Sequence, residues 1–303
     1  MTIVRAATQA EAQSWQDGWQ EHLAAHYAGY SDPAARRQLV DRRLGAWQRT
    51  RHGTVYVAEE DGRVVGHLAI GVSPTADPTE AFIFQLRAPG REAAARALHD
   101  QAYRFATDRG VQRLGAVTPT GDPAVDALLG PYPLRAQQMV KDLSEPAVLA
   151  DGLTGRPMSA AEYGPWLDGE IVGYAQDIAD SGSATLDAAR ERSAREFAEL
   201  LPEGLGTAGH SLWTLCDGDR AVAHIWLRHG HMPGMGFVFG VNVYDAERGK
   251  GYGRAVMLLG EQATAAAGDV QLGLNVFGSN TVARNLYDKL GYRVVDQFRS
   301  DDL

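Results

Sequence analysis
The stretch Glu247–Arg254, Glu-Arg-Gly-Lys-Gly-Tyr-Gly-Arg, sets three glycines among three cations and one acid. Before it, Val241 and Val243 alternate as strand residues do. After it, Val256, Leu259 or Gly260, and Ala263 share one helical face. The loop therefore leads from a strand into a helix N-terminus. The first turn of a helix leaves backbone N–H groups unpaired, and the macrodipole adds partial positive charge. Such an end attracts anions. Gly249, Gly251 and Gly253 carry no side chain that would hold a phosphate away from those groups. Arg248, Lys250 and Arg254 add formal charge beside Tyr252, and a pyrophosphate is the ligand that fits best. A P-loop is excluded, because Gly249-Lys250 is followed by Gly251 and not by Ser or Thr. The dinucleotide fingerprint is excluded because its Gly-x-Gly-x-x-Gly order is missing. The pattern is Arg248-x-x-Gly251-x-Gly253, which taken alone is also that of a tight turn before a helix.

A second constellation runs from Leu272 to Tyr292. A buried strand ends near Val276, and a polar turn follows in which Ser279 or Asn280 caps a helix. That helix carries Ala283, Leu286, Tyr287 and Leu290; Gly291 closes it and Tyr292 opens a last strand. Together the two motifs resemble the GNAT superfamily of N-acetyltransferases, strongly over residues 156–303. The resemblance implies that Arg248, Gly249, Lys250, Gly251, Tyr252, Gly253 and Arg254 hold the pyrophosphate of acetyl-CoA as cosubstrate. It implies a splayed strand at Val241 and Val243, to which the pantetheine amides bind as an added strand would. Asn280 and Ala283 then lie along the pantetheine arm. Asn275 either shapes the same cleft or is a strand-end turn residue.

The implied reaction is direct attack of an amine on the acyl thioester. An alkyl amine has a pKa near ~10.4 and must lose a proton first. The departing thiolate gains from receiving one. Tyr287 stands where the family has its thiolate-facing tyrosine and is expected to be the general acid; its alternative role is packing. Many family members place a glutamate on the strand before the loop. Asn242 stands there in this chain and cannot take up a proton. His224 is matched by His67 in the first half, which favours a structural role. His229 and His231 flank a Pro-Gly turn near the expected substrate mouth, and Asp245 and Glu247 are expected to be solvated. Cys216, in an alternating strand, reads as a buried inert thiol.

The elements that must position these residues occur twice. Val55–Ile70 and Leu212–Leu227 align without a gap as two hairpins, Arg63 meeting Arg220. Strands follow at Ala81–Ala88 and Gly236–Val243, helices at Glu92–Asp108 and Gly253–Ala267, and strands at Arg113–Val117 and Gln271–Val276. Ala34–Arg49 and Ala184–Leu201 read as preceding helices. The fold class is mixed α/β: two GNAT-like domains, each a central, mostly antiparallel sheet flanked by helices. The Pro- and Gly-bearing segment Ser144–Pro157 is the expected boundary, giving domains 1–150 and 151–303. The first lacks both motifs. It has Arg-Ala-Pro-Gly at 87–90 and the proline-bearing Gly121–Pro133, so it reads as a degenerate copy. Its Trp15, Trp19, Tyr27, Tyr30 and Trp47 are core or pocket material, with core the safer reading.

The net charge of −9 is uneven. Residues 1–150 hold 16 Lys+Arg against 17 Asp+Glu, and residues 151–303 hold 13 against 21. That balance disfavours nucleic acid and suits either solubility or a cationic ligand. With one cysteine there is no intrachain disulfide, and no His/Cys/Asp cluster has metal spacing, so no metal is expected. No signal peptide or membrane-spanning run is read, which fits a cytoplasmic, bacterial protein. The expected partner is a small-molecule amine, and the expected state is a monomer or homodimer. The rival reading is a catalytically silent acyl-CoA-binding module that lost its base at Asn242.

Overall fold
The structure is a computed structural model that describes residues 1–74, 76, 78–180 and 185–303. In chain order the elements begin with β1 (Ile3–Ala6), α1 (Gln9–His26), α2 (Pro33–Arg49), β2 (Arg51–Glu60) and β3 (Arg63–Val72). Then come β4 (Glu80–Arg87), α3 (Glu92–Thr107), β5 (Arg113–Thr118), α4 (Pro123–Leu129) and β6 (Leu134–Asp142). The pattern repeats as β7 (Leu153–Pro157), α5 (Ala160–Asp180), α6 (Leu186–Leu200), β8 (His210–Asp217), β9 (Arg220–Met232) and β10 (Met235–Val243). The chain ends with α7 (Tyr252–Ala266), β11 (Gln271–Phe277), α8 (Thr281–Lys289) and β12 (Arg293–Asp302). The fold is mixed α/β, with helices flanking sheets that are mostly antiparallel; β4–β5 and β10–β11 are the parallel pairs among those with a defined register. Ala184, the expected start of a helix, lies outside the described residues; α6 starts at Leu186, where Thr185 accepts from the Ala188 N–H. Part of the expected boundary segment is itself a strand, since β7 pairs with β8 from Leu153↔Asp217 to Pro157↔Trp213.

The compact units do not follow a division at residue 150. One comprises residues 1–139, 275–285 and 292–303, the other 140–274 and 286–291. In the first unit the strands run in the order β1-β2-β3-β4-β5-β12-β6, so the last strand of the chain lies inside the sheet of the first half. Strand β12 pairs antiparallel with β5, from Gln297↔Thr118 to Asp302↔Arg113. Its polar side chains find their partners there. Asp296 meets His26 at 2.7 Å, Asp301 accepts from the Tyr103 hydroxyl at 2.6 Å, and Asp302 pairs with Arg113 and Arg135. The core under α3 holds Leu68, Ile70, Leu98, Phe105 and Leu114. Trp15, Trp19, Tyr27 and Tyr30 are buried in this unit, and Trp15 stacks on Trp19 with centroids 5.2 Å apart.

In the second unit the order is β11-β10-β9-β8-β7. Side chains alternate across a strand. On β9, Ile225 lies against α7 beside Gly260. His224 and Trp226 therefore take the other face, where Trp166 of α5 lies 6.2 Å and 5.7 Å from them by ring centroid. Phe197 of α6 joins the same core. Helix α5 is anchored at its start by Glu162, whose carboxylate accepts from the Ser159 N–H and hydroxyl and from Arg156 at 2.7 Å. The Arg156 guanidinium, ahead of the Ser159 bonds, draws the Glu162 pKa down to about 2. A depressed carboxylate pKa stabilises the fold above the unfolded-state value, near ~4.3, and that gain is lost as pH falls through the folded value. The melting temperature of wild type minus that of Glu162→Gln should therefore be constant from pH 7 to 5 and shrink between pH ~4.3 and ~2. A difference that does not change with pH would contradict this.

Candidate functional site
Strand β10 is paired on one side along its whole length and on the other along half of it. With β9 the register runs from Met235↔Met232 to Val243↔Ala223. With β11 it runs only from Met235↔Gln271 to Val238↔Leu274. From Phe239 to Val243 the ladder to β11 is absent, so Val241 and Val243 lie on the segment where an extended ligand could add hydrogen bonds. Beyond Val243 the chain makes a 3₁₀ turn at Asp245–Glu247 and enters α7.

The three loop glycines have two different causes. Gly249 and Gly251 have φ of 78° and 89°, the left-handed region, and a Cβ on either would meet nothing within 4 Å. Backbone conformation requires glycine there, and the space above is open. Gly253 instead packs closely, since its Cβ would lie 3.3 Å from Leu286. Gly251 is the N-cap of α7 and has no side chain to cap it, which leaves the first turn of the helix open to an anion.

The cations are less free than the sequence suggests. Arg248 pairs with Asp245 at 2.7 Å. Lys250 pairs with Glu247 at 2.9 Å, and Arg220 meets the same carboxylate at 3.0 Å. Glu247 is buried, which corrects its reading as a solvated acid: it organises the loop by holding two cations. Tyr252 donates to Asp217 at 2.6 Å, and Arg254 is exposed without an ion pair among the described residues.

Tyr287 belongs to the same unit and is buried. Loss of solvent pushes its pKa up to about 12, so the phenol carries its proton at neutral pH and can act only as a donor of one. Asn275, Asn280 and Ala283 belong by their contacts to the other unit. Asn275 is exposed on β11. Asn280, not Ser279, caps α8, its Oδ1 accepting from the Ala283 N–H at 3.0 Å.

Asn242 lies opposite His224 across β9–β10. His224 is buried and its Nε2 is 3.3 Å from Glu170 Oε1 on α5. Glu170 was not singled out in the sequence. The signal was available in a second gapless repeat: Arg5, Thr8, Glu11, Trp15 and Trp19 fall opposite Arg156, Ser159, Glu162, Trp166 and Glu170. His229 and His231 are not near this end. They precede the hairpin turn at Pro233–Gly234, whereas the loop follows the far end of β10. His229 is instead held between Ser211, at 2.7 Å, and Asp269. Cys216 is buried in β8. No group of three or more His, Cys, Asp or Glu side chains among the described residues is placed to hold a metal ion. No described helix is long and apolar enough to cross a membrane.

Comparison with known proteins bears on both halves. The pattern of the Acetyltransferase (GNAT) family matches residues 15–129 and 176–292. The chain is 31% identical over 150 residues to the uncharacterized N-acetyltransferase YycN of Bacillus subtilis, covering 48% of this chain and 96% of that protein. It is 27% identical over 275 residues to a mycothiol acetyltransferase of Kocuria rhizophila, covering 86% of each. A GCN5-related N-acetyltransferase from Sphaerobacter thermophilus superposes over 99% of this chain and 95% of its own with a TM-score of 0.54, at 17% identity, which speaks to the fold alone.

Proposed function
Because this chain belongs to the Acetyltransferase (GNAT) family, it is an acyl-CoA-dependent acetyltransferase, and we propose that it acetylates the primary amine of a small, cationic molecule. In this reading acetyl-CoA binds along β10 and the loop that follows. The observation that carries the reading is the sequence of features between Phe239 and Gly251: an unpaired strand edge, then two left-handed glycines, then an uncapped helix start. The strand edge supplies donors and acceptors for the pantetheine amides. The N–H groups at the start of α7, with Arg254, hold the pyrophosphate. Tyr287 gives its proton to the departing sulfur. A cationic acceptor suits the acidic second half, where 21 acids oppose 13 bases. Relatives named mycothiol acetyltransferase, one of them matched over most of this chain, favour a small-molecule acceptor over a protein. The first half, without the glycine loop, serves as a partner domain that binds no acyl-CoA.

The test is calorimetric titration with acetyl-CoA and CoA, followed by CoA release with a panel of alkyl amines. One site per chain and turnover of a cationic amine are expected. Binding without turnover of any amine would instead identify a silent binding module, and two sites per chain would overturn the role given to the first half. Tyr287→Phe should lower kcat about 100-fold or more while leaving acetyl-CoA affinity within about twofold. An unchanged kcat would remove Tyr287 from the mechanism.

A further inference from the structure
The geometry points to Glu170 as the residue that takes the proton from the acceptor amine, held in place by His224. The inference rests on the acyl-transfer reading above and supplies the base that Asn242 cannot be.

Three observations carry it. First, the carboxylate stands at the parting of the strands. Glu170 Oε2 would lie 3.5 Å from a Cβ at Gly240, two residues beyond the last β10–β11 pair at Val238↔Leu274. Gly240, Asn242 and, across the ladder, His224 share one face of the sheet, the face covered by α5. Second, the pair combines a buried imidazole with a reachable acid. The His224 side chain is 7% exposed and that of Glu170 27%. The imidazole Nε2 faces Oε1 and leaves Oε2 directed at the strand. A histidine that donates to a carboxylate fixes its orientation, as second-layer partners do elsewhere.

Third, the first half shows what the same place looks like without this chemistry. Its histidine, His67, faces the neutral amide of Gln85 at 3.1 Å, and the Trp15 indole donates to the same oxygen at 2.9 Å. In the aligned strands Gln85 falls opposite Gly240, and in the aligned helices Trp19 falls opposite Glu170. Trp19 is 1% exposed. A cavity of about 270 Å³ adjoins these residues, and its one carboxylate, Glu11, is already held by Arg5 at 2.8 Å. Three substitutions separate the copies at this place. Where the first half has an indole, an amide and the guanidinium of Arg87, the half that carries the glycine loop has a carboxylate, a glycine that clears room in front of it, and Asn242. A histidine kept only for packing would need neither the carboxylate nor the glycine.

The step balances as follows. The acceptor ammonium gives one proton to Glu170 Oε2, which passes it to solvent. The freed lone pair attacks the thioester carbonyl carbon, forming the C–N bond as the C–S bond breaks and the sulfur departs with the bonding pair. The second nitrogen proton passes to Glu170, freed by then, and on to solvent as the amide forms; Tyr287 protonates the thiolate and regains a proton from solvent. Two titratable groups lie toward the pair. Tyr244 is 5.7 Å from His224 by ring centroid, and Glu162, about two turns before Glu170 on α5, is paired with Arg156 of β7.

The test compares wild type with Glu170→Gln, using 2-phenylethylamine and hydroxylamine as acceptors. Hydroxylamine needs no deprotonation at neutral pH. With 2-phenylethylamine, Glu170→Gln should lower kcat about 100-fold. With hydroxylamine it should stay within about threefold, and acetyl-CoA affinity by calorimetry within about twofold. An equal loss with both acceptors, or none with either, would overturn the proposal. An acceptor-independent readout is the ¹⁵N chemical shift of the His224 ring nitrogens at fixed pH, which reports the hydrogen bond each one makes. Glu170→Gln should move the Nε2 resonance more than that of Nδ1, because Nε2 is the nitrogen 3.3 Å from the carboxylate. An unmoved Nε2 resonance would refute the pairing even where 2-phenylethylamine is not turned over. His224→Gln should reduce kcat less than Glu170→Gln and leave KM unchanged, as expected of a positioning residue. Failure of wild type to bind acetyl-CoA would sink the acyl-transfer reading itself; binding with an insensitive Glu170→Gln sinks only this assignment.

Discussion

A chain ending at Tyr292 should lose the fold of its first half while keeping most of the second. Removing residues 293–303 deletes β12, which sits between β5 and β6 in the unit built mainly from residues 1–139. The loss is not confined to the ladder from Gln297↔Thr118 to Asp302↔Arg113. Arg299 donates to the Gly130 and Tyr132 carbonyls at 2.9 Å, and Asp296 and Asp301 satisfy His26 and Tyr103. Buried Asp296 and Ser300 leave with the strand, and β5 and β6 are left with unpaired edges. An interior strand with this many partners is expected to contribute about 5 kcal/mol or more, the scale of a whole domain's stability. Hydrogen exchange should show residues 51–139 deprotected in the truncated chain and β8, β9 and α7 still protected. Equal protection of the first half in both chains would mean that β12 is dispensable there.

Gly251→Val should weaken acetyl-CoA binding at least about 100-fold with only a modest effect on folding. The residue has φ of 89°, so any L side chain is strained there, by about 1–2 kcal/mol. Nothing lies within 4 Å of a Cβ at this position, so protein packing does not oppose the substitution. What opposes it, in the proposed function, is the ligand. The valine methyls would occupy the space in which a phosphate reaches the N–H groups at the start of α7. Hydrogen bonds to a charged group contribute about 1.5–3 kcal/mol each, so losing two accounts for the expected change. Calorimetry decides: an affinity within a few-fold of wild type would place the pyrophosphate elsewhere. Gly253→Val differs in kind, because its side chain would press on Leu286 and destabilise the α7–α8 packing.

Local pattern is enough to place the elements and most of the loop. Alternation and helical period depend on local backbone geometry, so β10, α7, β11 and α8 stand close to where the pattern puts them. The glycines at 249 and 251 were legible because few residues other than glycine occupy the left-handed region routinely. Tertiary structure decided three things that local pattern cannot carry. It decided which sheet β12 joins, because a strand's alternation says which face is buried but not which neighbour it pairs with, and two copies of one fold can exchange equivalent strands at little cost. It decided the charge around the loop, because the burial of Glu247 between Arg220 and Lys250 depends on a hairpin 27 residues upstream. And it brought Glu170 to His224 across 54 residues of sequence, because a helix face and a strand face meet only when the sheet and α5 pack together.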